Sequence, residues 1–337
     1  MEQFTDSENE YLAILYSNGS INTYSLAAGG NYLVLQTLTI ADAASFVVFE
    51  ISNTFYLAVA KNSTSSNSEV YQWSSNSEQF TYSSSLSTRG ARDVAFVSTP
   101  RQGDYLVFAC HHRTSRFNYP SYVYKWVSGR FEAYQYLQMV TNALTVDSVM
   151  TSSDDVLLML THELGNGNPT TVVYHWNGTY FDDRAEQRQA ISAASQTTFT
   201  IGVHTFLVCQ SLSDDSIVQI FMYNSQTRRF VEHTSIDTLG EINAVEYFHT
   251  NTEHFLVLTN FVESQESSPN GVPLTRHYDV LVYRIEGAGC KLFQEIQTSF
   301  RPSVLRRFSR GECQGVAIAG SSGTTELLQW SDMFDLC

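Results

Sequence analysis

The chain has 337 residues, a length that all-β barrels and rings of blades commonly reach as a single domain. Its 19 Tyr and 21 Phe favour strands. A formal net charge of −15 with few lysines argues against nucleic acid or anionic membranes as partners, because both need a basic face. The longest aliphatic run, Val156 to Leu160, is far shorter than the roughly 20 residues of a membrane-spanning helix, so we expect no membrane insertion.

The N-terminal sequence, MEQFTDSENE, has neither a basic nor an apolar segment, so it predicts no secretory signal within the chain. Two interpretations stay open: a mature domain preceded by an added methionine, or a protein made without such a signal. Three sequons, at Asn18, Asn62 and Asn177, fall in predicted hairpins and favour a secreted glycoprotein. We therefore expect a secreted, extracellular location, with a cytosolic or non-classically secreted protein as the alternative.

Taken in chain order, one apolar strand motif recurs seven times. Its copies begin at Tyr11, Phe55, Tyr105, Val156, Thr205, Phe255 and Gly315. Successive starts are 44, 50, 51, 49, 50 and 60 residues apart. A period of about 50 residues is typical of a four-stranded propeller blade.

A third strand follows each copy and carries aromatic residues at fixed places. The four tryptophans share one place, namely Trp73, Trp126, Trp176 and Trp330. Tyr recurs at a second fixed position of this strand in six copies, and we assign Tyr223 to that position in the fifth copy. Large rings at these places predict packing between blades and not ligand binding. The outer strand begins with Phe in six copies, Phe293 among them, and with Leu33 in the first.

An inner strand precedes each copy and completes four strands in the order inner to outer. The sequence therefore predicts an all-β fold, a seven-bladed β-propeller of four-stranded antiparallel blades that spans residues 1–337 as a single domain. Closure of the ring predicts that Met1 and Cys337 lie close together.

The hairpins between the second and third strands are long in several copies, at residues 61–67, 110–120, 161–169 and 260–277. By propeller geometry they open on one rim, and functional loops are commonly such excursions on a rigid scaffold. We predict ligand binding by the hairpin of the third copy. Its candidate residues are His111, His112, Arg113, Arg116, Phe117 and Tyr119.

Three aspartates, Asp42, Asp93 and Asp147, fall near the start of an inner strand, and these strands surround the central channel. Clustered carboxylates repel each other unless they are neutralised, and their hard oxygens suit Ca²⁺. We predict a calcium ion that braces the ring there. Solvated or hydrogen-bonded aspartates are the alternative.

Catalytic motifs are missing from the sequence. It contains no Gly-x-Ser-x-Gly elbow, no His-Glu-x-x-His, no phosphate-binding glycine loop and no Cys-x-x-Cys pair. We therefore predict that the protein is not an enzyme and needs no catalytic cofactor.

The repeated units share the pattern A-x-D-x-x-x-F, Y-L-x-x-A, x-Y-x-W and F-x-x-Y-Q-x-L, which the third copy shows most fully, from Ala91 to Leu137. This pattern resembles the epitempin repeat, also called the EAR or EPTP repeat, over essentially the whole chain. Leucine-rich glioma-inactivated proteins and thrombospondin-type EAR proteins carry it. The resemblance implies an extracellular seven-bladed propeller that binds partner proteins, such as catalytically inactive ADAM-type receptors. The chain shows no leucine-rich, laminin or thrombospondin module, so only architecture and a binding role carry over.

Three functions follow as hypotheses. The first is an extracellular recognition module that binds a protein receptor through one face of the propeller. The second is a lectin that binds glycans in pockets between blades. The third is a structural subunit of a homo-oligomer in which Cys337 forms an intermolecular disulfide, because five cysteines leave one unpaired within the chain.

Overall fold

The computed structural model describes residues 1–6, 9–27, 31–99, 102–111, 119–137, 142–163, 169–182, 189–211, 214–250, 252–264, 275–287, 289–310, 313–320 and 325–330. All regular secondary structure in these ranges is β-strand. No helix long and apolar enough to cross a membrane occurs within them. The fold class is the one predicted from the sequence, an all-β seven-bladed propeller of antiparallel blades. The chain divides into two compact units, Met1–Ile191 and Ser192–Cys337.

The first unit contains blades 1 to 4. Blade 1 comprises β1 (Glu2–Asp6), β2 (Asn9–Leu15), β3 (Ser20–Leu26) and β4 (Tyr32–Thr39), and blade 2 comprises β5 (Ala43–Ile51), β6 (Thr54–Lys61), β7 (Ser68–Ser74) and β8 (Gln79–Leu86). Blade 3 comprises β9 (Ala91–Thr99), β10 (Gly103–Cys110), β11 (Ser121–Val127) and β12 (Arg130–Leu137). Blade 4 comprises β13 (Ala143–Met150), β14 (Val156–Glu163), β15 (Pro169–Trp176) and β16 (Phe181–Asp182).

The second unit contains blades 5 to 7. Blade 5 comprises β17 (Gln189–Ile201), most of which lies in this unit, β18 (His204–Ser211), β19 (Ile217–Asn224) and β20 (Arg229–Asp237). Blade 6 comprises β21 (Glu241–His249), β22 (His254–Ser264), β23 (Thr275–Glu286) and β24 (Gly289–Gln297). Blade 7 has β25 (Pro302–Arg310), β26 (Cys313–Gly320) and β27 (Thr325–Trp330). The fourth strand predicted there, and Cys337, lie outside the described residues.

Tryptophans fill the wedge between neighbouring blades in the first unit. The ring centroid of Trp73 lies 4.8 Å from Tyr11, that of Trp126 lies 5.2 Å from Tyr56, and that of Trp176 lies 4.9 Å from Tyr105. In each pair the Trp belongs to one blade and the Tyr to the blade before it. Each Trp also packs edge-on against the Phe that opens or nearly opens the outer strand of its own blade. The predicted role of these rings in packing between blades is confirmed.

A β-bulge recurs where the third and fourth strands pair in blades 1, 2, 3, 5 and 6. In each of these blades one outer-strand residue lies at the register shift, between two paired positions. These residues are Leu35, Ser83, Tyr134, His233 and Phe293. A bulge breaks the two-residue alternation of a strand, so it shifts every later side chain relative to a simple alternating pattern.

Two predictions about the outer strand are wrong once the strand register is known. In blade 1 the residue that corresponds to Phe80 is Tyr32, because Val34 and not Leu35 lies opposite Tyr24. Leu33 is exposed and does not take that place. In blade 6 the corresponding residue is Cys290, opposite Ile285, whereas Phe293 occupies the bulge.

The place assigned to Tyr223 is also corrected. Tyr223 lies opposite Phe230, just as Trp73 lies opposite Phe80. It therefore takes the tryptophan place in blade 5, and Phe221 takes the tyrosine place.

Glutamine side chains add polar links between blades. The amide of Gln36 donates to the backbone oxygen of Phe80 and accepts from its backbone nitrogen, both at 2.8 Å. Gln135 forms the same pair of bonds with Phe181, at 2.7 and 3.0 Å. Each glutamine thus forms two hydrogen bonds to one backbone residue, and these bonds hold the outer strand of one blade against that of the next.

Candidate functional site

The hairpins of blades 2 and 3 are joined into one surface, which we call the hairpin rim and define as residues 61–68, 87–90, 111 and 119–120. The backbone nitrogen of Gly90 donates to Ser63 at 2.9 Å, and that of His111 donates to Gly90 at 2.8 Å. Gly90 has a φ of 63°, a left-handed conformation in which glycine is unstrained. The turn between β8 and β9 is therefore held between two hairpins by backbone bonds.

An arginine lies over an aromatic ring on this rim. The guanidinium carbon of Arg89 lies 5.2 Å from the centre of the Tyr119 ring, and Nη1 donates to the Tyr119 hydroxyl at 3.2 Å. Arg89 is exposed and Tyr119 is half-buried. The pair combines a cation–π contact with a hydrogen bond, so the arginine is oriented while it still faces solvent.

A partly buried ion pair forms the base of the rim. Nζ of Lys61 lies 2.8 Å from Oε1 of Glu69, and the two side chains are 10% and 21% exposed. The hydroxyl of Tyr71 donates to the other carboxylate oxygen of Glu69 at 2.5 Å. Burial, together with this bond, raises the pKa of Tyr71 above its usual value, so the phenol remains a donor at neutral pH.

The described part of the rim includes two of the six predicted ligand-binding residues. His111 and Tyr119 flank the hairpin and are both half-buried. His112, Arg113, Arg116 and Phe117 lie outside the described residues, so their role stays a prediction. Sequence reasoning missed Arg89. The signal available was the Thr-Arg-Gly turn directly before the Ala91-x-Asp93 motif.

The three predicted calcium ligands do not share one repeat position. Asp93 lies opposite Ala109, and the corresponding place in blade 2, opposite Ala60, is held by Ser45. Asp147 lies opposite Met159, two places further along its strand. Asp42 precedes β5 and has a φ of 62°. Irregular pairing at the starts of β5, β9 and β13 explains why the distance of each aspartate from its strand start gave a wrong alignment.

Asp93 connects three inner strands of the first unit. Its Oδ1 accepts a hydrogen bond from Ser45 Oγ at 2.6 Å, and its Oδ2 accepts one from the backbone nitrogen of Val146 at 2.9 Å. Asp147 accepts from the backbone of Ser148 at 2.7 Å. These bonds match the alternative of hydrogen-bonded aspartates. Across the described ranges, no three His, Cys, Asp or Glu side chains are grouped so that they could hold a metal ion.

The described cysteine thiols are free and poorly suited to nucleophilic chemistry. Burial raises the pKa of Cys110 and of Cys209 to about 12, and that of Cys290 to about 11. A thiol with such a pKa carries almost no thiolate at neutral pH, and the thiolate is the reactive form.

Comparison with known families finds an EPTP domain at residues 229–269. The match runs from the outer strand of blade 5 into the first two strands of blade 6. Within this stretch the chain is similar to an EPTP domain. The resemblance to EPTP-type propellers that the sequence pattern predicted is therefore confirmed. No curated protein matches the chain.

Solved propeller structures resemble the whole chain at low identity. BBS1N, from a crystal of its complex with ARL6DN soaked with mercury, has 10% identity and a TM-score of 0.62, with 96% of this chain and 88% of that chain covered. The periplasmic gluconolactonase PpgL of Pseudomonas aeruginosa has 12% identity and a TM-score of 0.61, with 95% of both chains covered. Sqt1 of Saccharomyces cerevisiae has 10% identity and a TM-score of 0.59, with 98% and 83% covered. These likenesses establish the fold.

Proposed function

We propose that this chain is a non-catalytic, extracellular recognition module that binds a protein partner through the hairpin rim of blades 2 and 3. The observation that carries the proposal is the Arg89–Tyr119 pair, an oriented cation and an aromatic ring on a surface fixed by backbone bonds. Arg and Tyr are among the residues that dominate the binding energy of protein interfaces. A rigid rim lowers the conformational cost of binding.

Two comparisons support a protein partner. EPTP repeats belong to the propellers that the sequence resembles, for which partner-protein binding is the implied role. Among the fold relatives, the structure of BBS1N is a complex with another protein, ARL6DN. The gluconolactonase relative shares the fold at an identity too low to carry its activity over to this chain.

The charge of the chain specifies the chemistry of the partner. At −15 the protein repels acidic proteins and attracts basic ones, and this attraction acts mainly on the rate of association. The partner we propose is an ectodomain with a basic surface that also presents a carboxylate to Arg89. Association should therefore slow as salt rises, while the dissociation rate changes less.

The test uses the full chain, immobilised and exposed to a panel of purified receptor ectodomains and, separately, to a glycan array. We expect a specific ectodomain to bind, and Arg89→Ala to weaken that binding about tenfold. The matched control is Arg130→Ala, because Arg130 is also exposed and is the first residue of β12, outside the hairpin rim. Equal losses for both variants would remove the hairpin rim as the binding surface. Binding to glycans alone would favour the lectin alternative.

An extracellular location is part of the proposal and has its own test. The sequon residues Asn18, Asn62 and Asn177 are all exposed on hairpins, and at Asn18 and Asn177, which lie outside the hairpin rim, a glycan fits without covering the proposed binding surface. We expect the chain, when directed into the secretory pathway, to be secreted with N-linked glycans that a glycosidase removes. Retention as an unglycosylated aggregate would count against this location.

A further inference from the structure

Two buried oxygen atoms on blade 6 have no hydrogen-bond partner among the described residues. They are Oδ1 of Asn260 and Oδ1 of Asp279, and each side chain is only 4% exposed. Native proteins pair nearly all buried polar atoms, and a buried carboxylate without a counter-charge is costly. An unpaired carboxylate oxygen beside an unpaired amide oxygen is the arrangement in which a shared ligand supplies the missing interaction.

The strand register places these two residues side by side. Asn260 on β22 lies directly opposite Asp279 on β23, and Asp279 lies directly opposite Gln297 on β24. Residues opposite each other in antiparallel strands project from the same face of the sheet. Three oxygen-bearing side chains thus form one row across three adjacent strands.

This row lies on the face of blade 6 that packs against blade 5. Leu258 and Leu281, the next residues along the same face, belong to a buried cluster that includes Val218 and Ile236 of blade 5. The row is therefore the polar end of the interface between these two blades. The hairpin between β18 and β19 is close by, because the backbone nitrogen of Ile242, opposite Asn260, donates to Asp215 at 3.0 Å.

Glycine and acidic residues shape the surroundings. A Cβ on Gly240 would lie 3.0 Å from Asn260 Oδ1 and 2.2 Å from the backbone oxygen of Phe261, so only glycine leaves that space open. On the same face, burial raises the pKa of Tyr283, and the negative charges of Asp237 and Glu295 raise it further.

We propose that Asn260 and Asp279, with Gln297 as a third ligand, bind a hard divalent cation of the calcium type between blades 5 and 6. Carboxylate and amide oxygens are the protein ligands that Ca²⁺ takes, and the ion completes its shell with backbone oxygens and water. The site differs from the one that the sequence predicted at Asp42, Asp93 and Asp147. Its role is to join two blades, independently of partner binding.

The experiment titrates calcium chloride into the metal-free full chain and follows both the heat of binding and the melting temperature. We expect one equivalent of calcium to bind and to raise the melting temperature, because a ligand that binds only the folded state stabilises it. Asp279→Asn, which keeps the shape of the side chain, should abolish both signals. Asp93→Asn and the exposed Glu232→Gln are the controls and should keep both.

A second variant distinguishes a loss of calcium binding from a loss of folding. Asn260→Asp adds a carboxylate to the same row and should tighten calcium binding by about tenfold, since calcium affinity follows the number of charged ligands. Absence of any calcium signal in the unmodified chain would overturn the proposal, with ordinary water then satisfying both oxygens. A calcium signal that survives Asp279→Asn would overturn it equally.

Discussion

The hairpin ends of blade 2 and blade 6 have the same backbone arrangement, but they differ in whether a buried carboxylate is neutralised by a cationic side chain. Lys61, the last residue of β6 in blade 2, pairs with Glu69, whereas the corresponding residue of blade 6 is Asn260, which lies beside Asp279 with its unpaired Oδ1. In the turn that precedes the next inner strand, Arg89 of the first unit corresponds to Leu239 of the second, which is 92% exposed. The first unit therefore has cationic side chains at these two places. Blade 6 has none there, so we expect a bound cation to neutralise Asp279.

The largest effect is expected where blade 2 loses its internal cation. Lys61→Met leaves the partly buried Glu69 without its counter-charge, with only the Tyr71 hydrogen bond remaining, and should lower the free energy of unfolding by about 2 kcal/mol. Urea denaturation measures this loss. The double variant Lys61→Met/Glu69→Leu should recover most of it, because an apolar pair replaces the ion pair. If the single and double variants were equally destabilised, the carboxylate would not be the cause.

Blade 6 should respond to charge removal with the opposite sign. In the presence of a chelator, Asp279→Asn removes a buried, uncompensated charge and should raise the free energy of unfolding by about 1 kcal/mol. The matched change Glu69→Gln in blade 2 should lower it. Calorimetry of both variants under the same conditions tests this contrast, and a loss of stability in both would contradict it.

The opposite edge of blade 6 should show a pH response that blade 2 lacks. Nδ1 of His254 lies 2.7 Å from the hydroxyl of Tyr247, burial lowers the pKa of His254, and the neighbouring His249 lowers it further. A histidine whose pKa is lowered in the folded state stabilises the fold above its unfolded pKa, about 6.5, and this stabilisation is lost as pH falls.

Thermal melting between pH 7.5 and 5 provides the measurement. The melting temperature of the unmodified chain should fall towards acid pH, and that of His254→Gln should fall less. The positive charge of Arg307 acts on Tyr247 and lowers the pKa of that phenol, against the larger effect of burial, which raises it. Identical pH profiles for the two proteins would exclude His254 as the titrating group.

The smallest effect is expected from giving the second unit the cation of the first. Leu239 is almost fully exposed, so Leu239→Arg should change the free energy of unfolding by less than about 0.5 kcal/mol. An arginine at this position that reaches Asp279 should compete with calcium and weaken its binding modestly. Calcium titration of this variant, with Leu239→Gln as the uncharged control, measures the competition.

The repeat made much of this fold predictable from the sequence. Seven copies of one motif fixed the strand order, and Trp73, Trp126 and Trp176 fill the places between blades that their recurrence indicated. The outer strand was less predictable, because a bulge shifts the register by one residue and moves Phe293 away from the expected position. Strand alternation alone does not reveal such a shift.

The candidate sites were harder to predict, because they depend on pairing between strands. Arg89 meets Tyr119 across 30 residues of sequence, and Asn260 meets Asp279 only through the register of β22 and β23. Asp93 appeared in the sequence as a metal ligand, yet its two oxygens accept hydrogen bonds from neighbouring blades. Residue types indicated which interactions a side chain could form, whereas the strand register determined which side chains lie in contact.

The most direct test of the central claim is hydrogen–deuterium exchange of the full chain with and without the ectodomain that binds it. Recognition through the hairpin rim predicts new protection at residues 61–68 and 87–90, with Arg89→Ala removing that protection and Arg130→Ala retaining it. Protection confined to the outer strands β4, β8 and β12 would contradict the account.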